Sequence, residues 1–211
     1  MKTLNFLFVM AVCFMTISHV SANYYIIKTF ENYGSKSDEG AEGHLDSDGQ
    51  KRVDCFVGLI GNKVNKPQTI FYKSDGVDKN GNVKVNSRKF TAEAIAAKIG
   101  VGTEALSGDD TALATIKDTL VNNQITDAIF VWTDKEKASK LAQNLGATNA
   151  PKEFKKSNYG LIWNIENDSL TEMNMDCADV SNVVKSGAST TFSASILALA
   201  VSVMASLYLL F

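Results

Sequence analysis

The sequence predicts an α/β fold, a three-layer sandwich in which helices cover both faces of a mainly parallel sheet. Continuous runs of β-branched and aromatic residues are typical of strands buried on both faces. Helical patterns separate these runs, and strands that alternate with helices form parallel sheets. The stretch between two apolar chain ends, roughly 160 residues, suits one domain with a sizeable core. The predicted strands are Tyr24–Thr29, Thr69–Tyr72, Ala128–Trp132 and Leu161–Ile165.

Helices are predicted where apolar residues recur at three- and four-residue spacing behind a capping residue. The four segments are residues 46–60, 86–100, 109–120 and 133–146. Asn86 or Ser87 caps the second, and Asp109 or Asp110 caps the third. The fourth opens with a capping box, Thr133–Glu136. Trp132 and Trp163, on predicted strands, are expected in the core rather than at a ligand.

The two ends predict processing in the secretory pathway. Residues 1–22 combine Lys2, a short apolar run and the small residues Val20 and Ala22, a pattern typical of a cleaved signal peptide. The alternative is an uncleaved anchor, but the run is shorter than the ~20 residues that span a bilayer. Cleavage after Ala22 makes Asn23 the first residue of a domain that extends to residue 180.

The C-terminal end resembles a signal for a glycosylphosphatidylinositol (GPI) anchor. Three small residues, 186–188, precede a polar spacer that ends at residue 195 and an apolar tail, 196–211, with no charge after it. Residues 181–195 are thus the attachment region, with Ser186 as the preferred attachment residue and Gly187 next. The alternative is a C-terminal transmembrane helix. The expected location is the outer face of the plasma membrane, or the cell wall.

Charge excludes one class of partner. Loss of Lys2 leaves 20 basic residues against 23 acidic ones, so the processed chain carries no excess of positive charge for nucleic acid. The expected partners are the membrane, through the glycolipid, and an unidentified surface ligand or cell-wall component. Residues 78–82 resemble a calcium loop, but position 12 is Lys89 rather than Glu, and a turn at Asn80-Gly81 fits better. No metal or cofactor is predicted.

Two modifications are predicted. Cys13 leaves with the signal peptide, so Cys55 and Cys177 remain, and an oxidising compartment favours one disulfide between them over two buried thiols. Asn167-Asp168-Ser169 is a sequon for N-glycosylation, whose occupancy the sequence leaves open.

The order of four motifs resembles the histidine phosphatase superfamily over roughly Tyr24 to Cys177, and within it the phosphoglycerate-mutase-like branch of fungal type. That branch also carries a Cys after the first helix and one after the last strand, where Cys55 and Cys177 stand. The resemblance implies a phosphoglycerate-mutase-like sandwich. The motifs are a helix entry at 43–52, an arginine-bearing helix start at 87–92, a strand end at 128–134 and a strand at 154–165.

The resemblance fails where the family has its catalytic groups. Its members use the His of an R-H-G motif as nucleophile, and a second His completes the pocket. Here Asn32-Tyr33-Gly34 stands at the first motif, a shift to residues 29–31 restores neither Arg nor His, and Asp134 replaces the second His. We therefore expect a catalytically inactive binding or structural module. The alternative is a divergent phosphatase that acts on phosphomonoesters with a rebuilt site.

Few side chains remain for phosphoryl chemistry. His44 is the one histidine outside the signal peptide, and the chain has two arginines. Arg52 is predicted on a helix surface; Arg88 either faces an anion pocket or lies on a helix surface in a salt bridge. Lys28 or Lys36 is the candidate for one further positive charge. His44 and Tyr33 are the less favoured candidates for a replacement nucleophile.

Overall fold

The computed structural model describes residues 21–76, 84–155 and 157–182. Most of the signal peptide, the turn at 78–82, Ser186, the polar spacer and the apolar tail lie outside these ranges, so the predictions made for them stay predictions. Within the described ranges, no helix combines the length and the apolar character needed to cross a membrane.

Six strands and five helices follow one another as β1-α1-β2-α2-β3-α3-α4-β4-α5-β5-β6. The strands β1 to β6 are Asn23–Ile27, Thr69–Lys73, Gly102–Leu106, Asp127–Val131, Leu161–Glu166 and Ser169–Asn174. The helices α1 to α5 are Ser47–Leu59, Ser87–Ile99, Asp110–Ala114, Ile116–Asn122 and Lys135–Asn144.

The sheet is mixed rather than mainly parallel, in the order β3-β2-β4-β1-β5-β6. The predicted strands β1, β2 and β4 pair in parallel, as expected, and so do β2 and β3, whereas β5 runs antiparallel to β1 and β6 antiparallel to β5. The loop after α5 causes the reversal. It returns to the start of that helix, where the Phe154 amide donates to the Lys135 carbonyl at 3.1 Å, so β5 begins beside the end of β1. A two-residue turn, Asn167-Asp168, with φ of 49° and 58°, then reverses the chain into β6.

Helices pack on both faces of this sheet, which confirms the three layers. Tyr24, Ile26 and Phe130 point into a core covered by α3, α4 and α5. Tyr25 and Ile27, their neighbours along β1, point into the opposite core covered by α1 and α2. Because β1 contributes to both cores, its run of apolar residues is continuous. Trp132 and Trp163 are fully buried, as expected.

The predicted caps locate the start of α2 correctly, but the predicted length of the third helix is wrong. Asn86 caps α2, accepting from the amides of Arg88 and Lys89, and α2 stops at Gly100, whose φ is 72°. The predicted third helix is broken at Thr115 into α3 and α4, so its continuity was wrong. Strands β3 and β6 were missed because both lie at sheet edges and are largely exposed, without an apolar run.

The predicted disulfide forms between Cys55 and Cys177, with their Cα atoms 5.8 Å apart. It joins α1 to the segment after β6, residues 177–182, which we call the C-terminal strap. Asn167 lies in the exposed turn between β5 and β6. Its glycosylation remains a prediction.

Candidate functional site

The chain segments that follow β1, β2 and β4 meet at one edge of the sheet, because these three strands are parallel neighbours. The first turn of α2 and the residues before β5 complete a cavity there. Its volume is about 330 Å³. It is lined by Lys28, Thr29, Asn32, Ser87, Arg88, Thr133 and Tyr159. We call it the Arg88 cavity.

The lining of the Arg88 cavity is cationic and rich in hydroxyl groups. Lys28 and Arg88 are its charged residues, and none of the described lining residues is acidic. Lys28 is only 7% exposed, and its ammonium lies 3.6 Å from the centre of the Tyr159 ring. The Thr29 and Thr133 hydroxyls share a hydrogen bond of 2.6 Å. Donors of this kind, held in a partly buried site, suit an oxyanion.

Arg88 has one donor engaged and another, its buried Nε, without an acceptor among the described residues. Its Nη1 donates to the Asp75 carboxylate at 2.5 Å. Its Nε is buried and finds no acceptor among the described residues. The sequence left open whether Arg88 faces an anion pocket or forms a salt bridge. In the structure Arg88 both lines the cavity and forms a salt bridge with Asp75. A buried donor without a partner carries a free-energy cost, which a bound acceptor would remove.

Asp134 stands at the N-cap of α5 but does not cap it with its side chain. Its carboxylate pairs with Lys73, at the end of β2. The predicted capping box at 133–136 is therefore wrong, because Lys73 competes for the carboxylate and the Thr133 hydroxyl bonds to Thr29 instead. Asp134 does not line the Arg88 cavity.

Of Asn32, Tyr33 and Gly34, the three residues that the sequence comparison set against the R-H-G motif, only Asn32 reaches the cavity. Its Nδ2 donates to the Phe30 carbonyl at 2.9 Å, and its Oδ1 accepts from the Ser87 hydroxyl at 3.4 Å. Tyr33 packs instead against Gly40, where an added Cβ would lie 2.3 Å from the Tyr33 ring. Gly34 is exposed.

No imidazole of the described ranges lines the Arg88 cavity. His44 stacks on the Phe90 ring with 3.8 Å between ring centres and lines a different cavity, of about 640 Å³. Lys36 is exposed and does not line the Arg88 cavity either, so Lys28 supplies the further positive charge.

Arg52 lies in the interior, so its predicted surface position was wrong. Its side chain is fully buried, and Nε and Nη2 both donate to the Glu31 carboxylate, at 2.8 and 2.6 Å. Nη2 also donates to the Ser181 carbonyl at 2.7 Å, and Nη1 to the Asn182 Oδ1 at 3.2 Å. Arg52 therefore fastens the C-terminal strap to the loop after β1.

Tyr159 lies between the two arginine environments. One wall of the Arg88 cavity is its ring, and the Arg52 guanidinium carbon lies 5.6 Å from the ring centre. Burial raises the pKa of the Tyr159 hydroxyl, and the negative charges of Glu31 and Asp46 raise it further, against an opposing effect of Arg52. The phenol therefore stays protonated.

Sequence reasoning missed three contributors to this region, Glu31, Thr133 and Tyr159. The spacing of residues in α1 could have indicated the buried position of Arg52. Arg52 lies three residues after Gly49 and four before Phe56, and both of these residues are buried on the inner face of the helix. That spacing places Arg52 on the buried stripe of the helix. A buried arginine requires a carboxylate partner, and Glu31 is that partner.

No protein-family model matches the chain, and neither does any curated protein. Among solved structures, the SixA protein of Agrobacterium tumefaciens, assigned as a phosphohistidine phosphatase, is weakly similar. The two are 12% identical, with a TM-score of 0.35, over 52% of this chain and 68% of SixA.

Proposed function

We propose that this chain is a catalytically inactive, histidine-phosphatase-like module that binds an oxyanion in the Arg88 cavity on the outer face of the plasma membrane. One observation carries the proposal. Among the described residues, two cationic side chains and no imidazole or carboxylate line the cavity, and the buried Nε of Arg88 has no acceptor. The described lining residues can bind a negative charge but include no base that would activate a nucleophile.

The hydroxyl groups of the cavity do not replace the missing histidine. A Ser, Thr or Tyr nucleophile needs a neighbouring base or a lowered pKa. The pKa of Tyr159 is raised, the opposite of what activation requires. The Asp134 carboxylate, at the position of the family's second His, is held by Lys73. Binding without turnover is the function that these contacts support.

The size of the site limits the ligand. About 330 Å³ is at the lower end of the range for small-molecule sites. It accommodates an oxyanion with a small substituent, presented as a free molecule or as the end of a surface polymer.

The full-length protein tests this proposal in two assays. We expect no release of phosphate from generic phosphomonoesters between pH 4 and 8, and we expect binding of inorganic phosphate that Arg88→Ala removes. Lys89→Ala, at the adjacent exposed position of α2, is the matched control and should bind as wild type does. Turnover that disappears in His44→Ala would contradict the proposal.

A divergent phosphatase is the second candidate, favoured by the open Nε of Arg88. It requires that the full-length protein hydrolyse a phosphomonoester and that Arg88→Ala abolish this turnover while the melting temperature stays nearly unchanged. Equal binding of phosphate or vanadate by Arg88→Ala and wild type would exclude it.

The anchor is tested separately on intact cells. Phosphatidylinositol-specific phospholipase C should release the protein if a glycolipid is attached at Ser186. Retention, with a lipid-remodelling control in place, would favour the transmembrane alternative.

A further inference from the structure

The C-terminal strap ends beside the Arg88 cavity without lining it. The backbone carbonyl of Asn182, at the end of the strap, accepts a hydrogen bond from the backbone amide of Tyr159 at 2.8 Å. Tyr159 forms one wall of the cavity, and its ring centre lies 3.6 Å from the Lys28 ammonium. The position of this ring therefore contributes to the position of a cation in the cavity lining.

Asn182 is itself held from two sides. Its Oδ1 accepts from Nη1 of Arg52 at 3.2 Å, and Nη2 of Arg52 donates to the preceding carbonyl, that of Ser181, at 2.7 Å. On the other side the Asn182 side chain packs against Gly160, where an added Cβ would lie 2.3 Å from the Asn182 Oδ1. Because Arg52 is fully buried and also bonded to Glu31, the guanidinium that holds the strap is fixed in place.

We propose that Asn182 is a positioning residue for the Arg88 cavity: fixed by Arg52, it holds the backbone of Tyr159 and thereby places one wall of the site. Hydrogen bonds connect Arg52 to Asn182 and Asn182 to Tyr159, so Arg52 influences the cavity although it does not line it. This inference rests on the proposed function, since it gives Asn182 a role in the binding of the oxyanion.

A ring-current shift in the NMR spectrum reports this positioning without any ligand. Protons above an aromatic ring are shielded, and the Lys28 ammonium lies over the Tyr159 ring. The ε-methylene protons of Lys28 should therefore resonate upfield of those of exposed lysines. Tyr159→Leu, which removes the ring, identifies the shifted signal. The full-length protein is used for this measurement and for a binding titration with inorganic phosphate.

Asn182→Ala should return the Lys28 signal toward that of the exposed lysines. It should also weaken phosphate binding by about tenfold, the effect of one hydrogen bond to a charged group. Asn182→Asp keeps an oxygen for Arg52 and should retain most of the Lys28 shift. The matched control is Ala178→Ser, at an exposed position of the same strap, which should change neither the shift nor the affinity.

Gly160→Ala perturbs Asn182 from the other side, because its Cβ needs the space of the Asn182 Oδ1. It should reduce the Lys28 shift in the otherwise wild-type protein. In Asn182→Ala, where the competing oxygen is absent, the same substitution should have little further effect, as expected for residues that act through one contact. Should Asn182→Ala fail to fold, Gly160→Ala takes its place in both measurements.

Three results would overturn the inference, and they are distinguishable. If the Lys28 signal is the same in Asn182→Ala and wild type, Asn182 does not position Tyr159. If the signal moves but the phosphate affinity stays the same, Asn182 places Tyr159 without serving the site. The proposed function survives both results. If wild type binds no phosphate, the proposed function fails, and the role of Asn182 in binding fails with it.

Discussion

The two arginines of this chain lie near the starts of neighbouring helices but have different hydrogen-bond partners. Arg52 lies in the second turn of α1 and Arg88 in the first turn of α2, and both helices cover the same face of the sheet. Arg52 is fully buried and donates to Glu31, Ser181 and Asn182. Arg88 donates to Asp75 through Nη1, and its Nε has no acceptor among the described residues.

The difference separates a stabilising group from a candidate binding group. The Arg52 side chain meets acceptors from the loop after β1 and from the C-terminal strap, so it joins parts of the chain that are far apart in sequence. Arg88 lines the cavity, and its buried Nε has no acceptor among the described residues. A buried arginine whose donors are all used supports the fold, whereas one with an open donor is a candidate for recognition.

The largest effect on the Arg52 region should come from the disulfide that holds the strap. Cys55→Ser with Cys177→Ser opens a cross-link between residues 122 positions apart, which lowers the free energy of unfolding by about 4–5 kcal/mol in the chain-entropy model. Guanidinium denaturation measures it. A loss below about 1 kcal/mol would show that the disulfide adds little to the other contacts of the strap.

Arg52→Ala should be the next largest change. It leaves Glu31, 14% exposed at the side chain, with an unpaired charge, and should cost about 3 kcal/mol, the lower end of the range for buried pairs. Combining Arg52→Met with Glu31→Gln should recover part of this loss. If Arg52→Ala unfolds at the same denaturant concentration as wild type, the buried pair does not stabilise the fold.

Arg88→Ala should cost less stability, about 1 kcal/mol, because the Asp75 carboxylate remains 20% exposed and can be hydrated. Phosphate binding should be lost in the same variant. Denaturation and phosphate titration of Arg88→Ala, with Lys89→Ala beside it, test both parts. A stability loss as large as that of Arg52→Ala would remove the distinction between the two arginines.

The smallest effect concerns Tyr159, between the two regions. Because its pKa is raised in the folded state, its contribution to stability is complete below the unfolded tyrosine pKa of about 10 and is lost as the pH rises through the folded pKa. Stability should therefore fall above about pH 10, and Tyr159→Phe should make the fall shallower. Burial also raises the pKa values of Tyr24 and Tyr25, so part of the decrease in stability with pH should remain in Tyr159→Phe. An unchanged slope would contradict the prediction.

Much of the fold was predictable because its signals are local. The central strands β1, β2 and β4 are continuous apolar runs, and Asn86 and Asp109 cap helices as the sequence indicated. The antiparallel β5 was not predictable, since its direction depends on the return of the loop at Phe154 to the start of α5. The edge strand β3 owes its conformation to pairing with β2.

The candidate site was likewise predictable only in part from the sequence. The sequence identified Arg88 and Asn32 as residues to examine and showed that the only histidine beyond the signal peptide is His44. It also placed Arg52 at the surface, which was wrong, because its partner Glu31 is 21 positions earlier in the chain.

By itself, the sequence determined composition and local conformation: the number of histidines and arginines, the caps, the apolar strands and the cysteine pair. Only the tertiary structure decided which charged groups neutralise one another. Charge pairing depends on distance in space, and the folding of the sheet brings Glu31 to Arg52, Asp75 to Arg88 and Asp134 to Lys73.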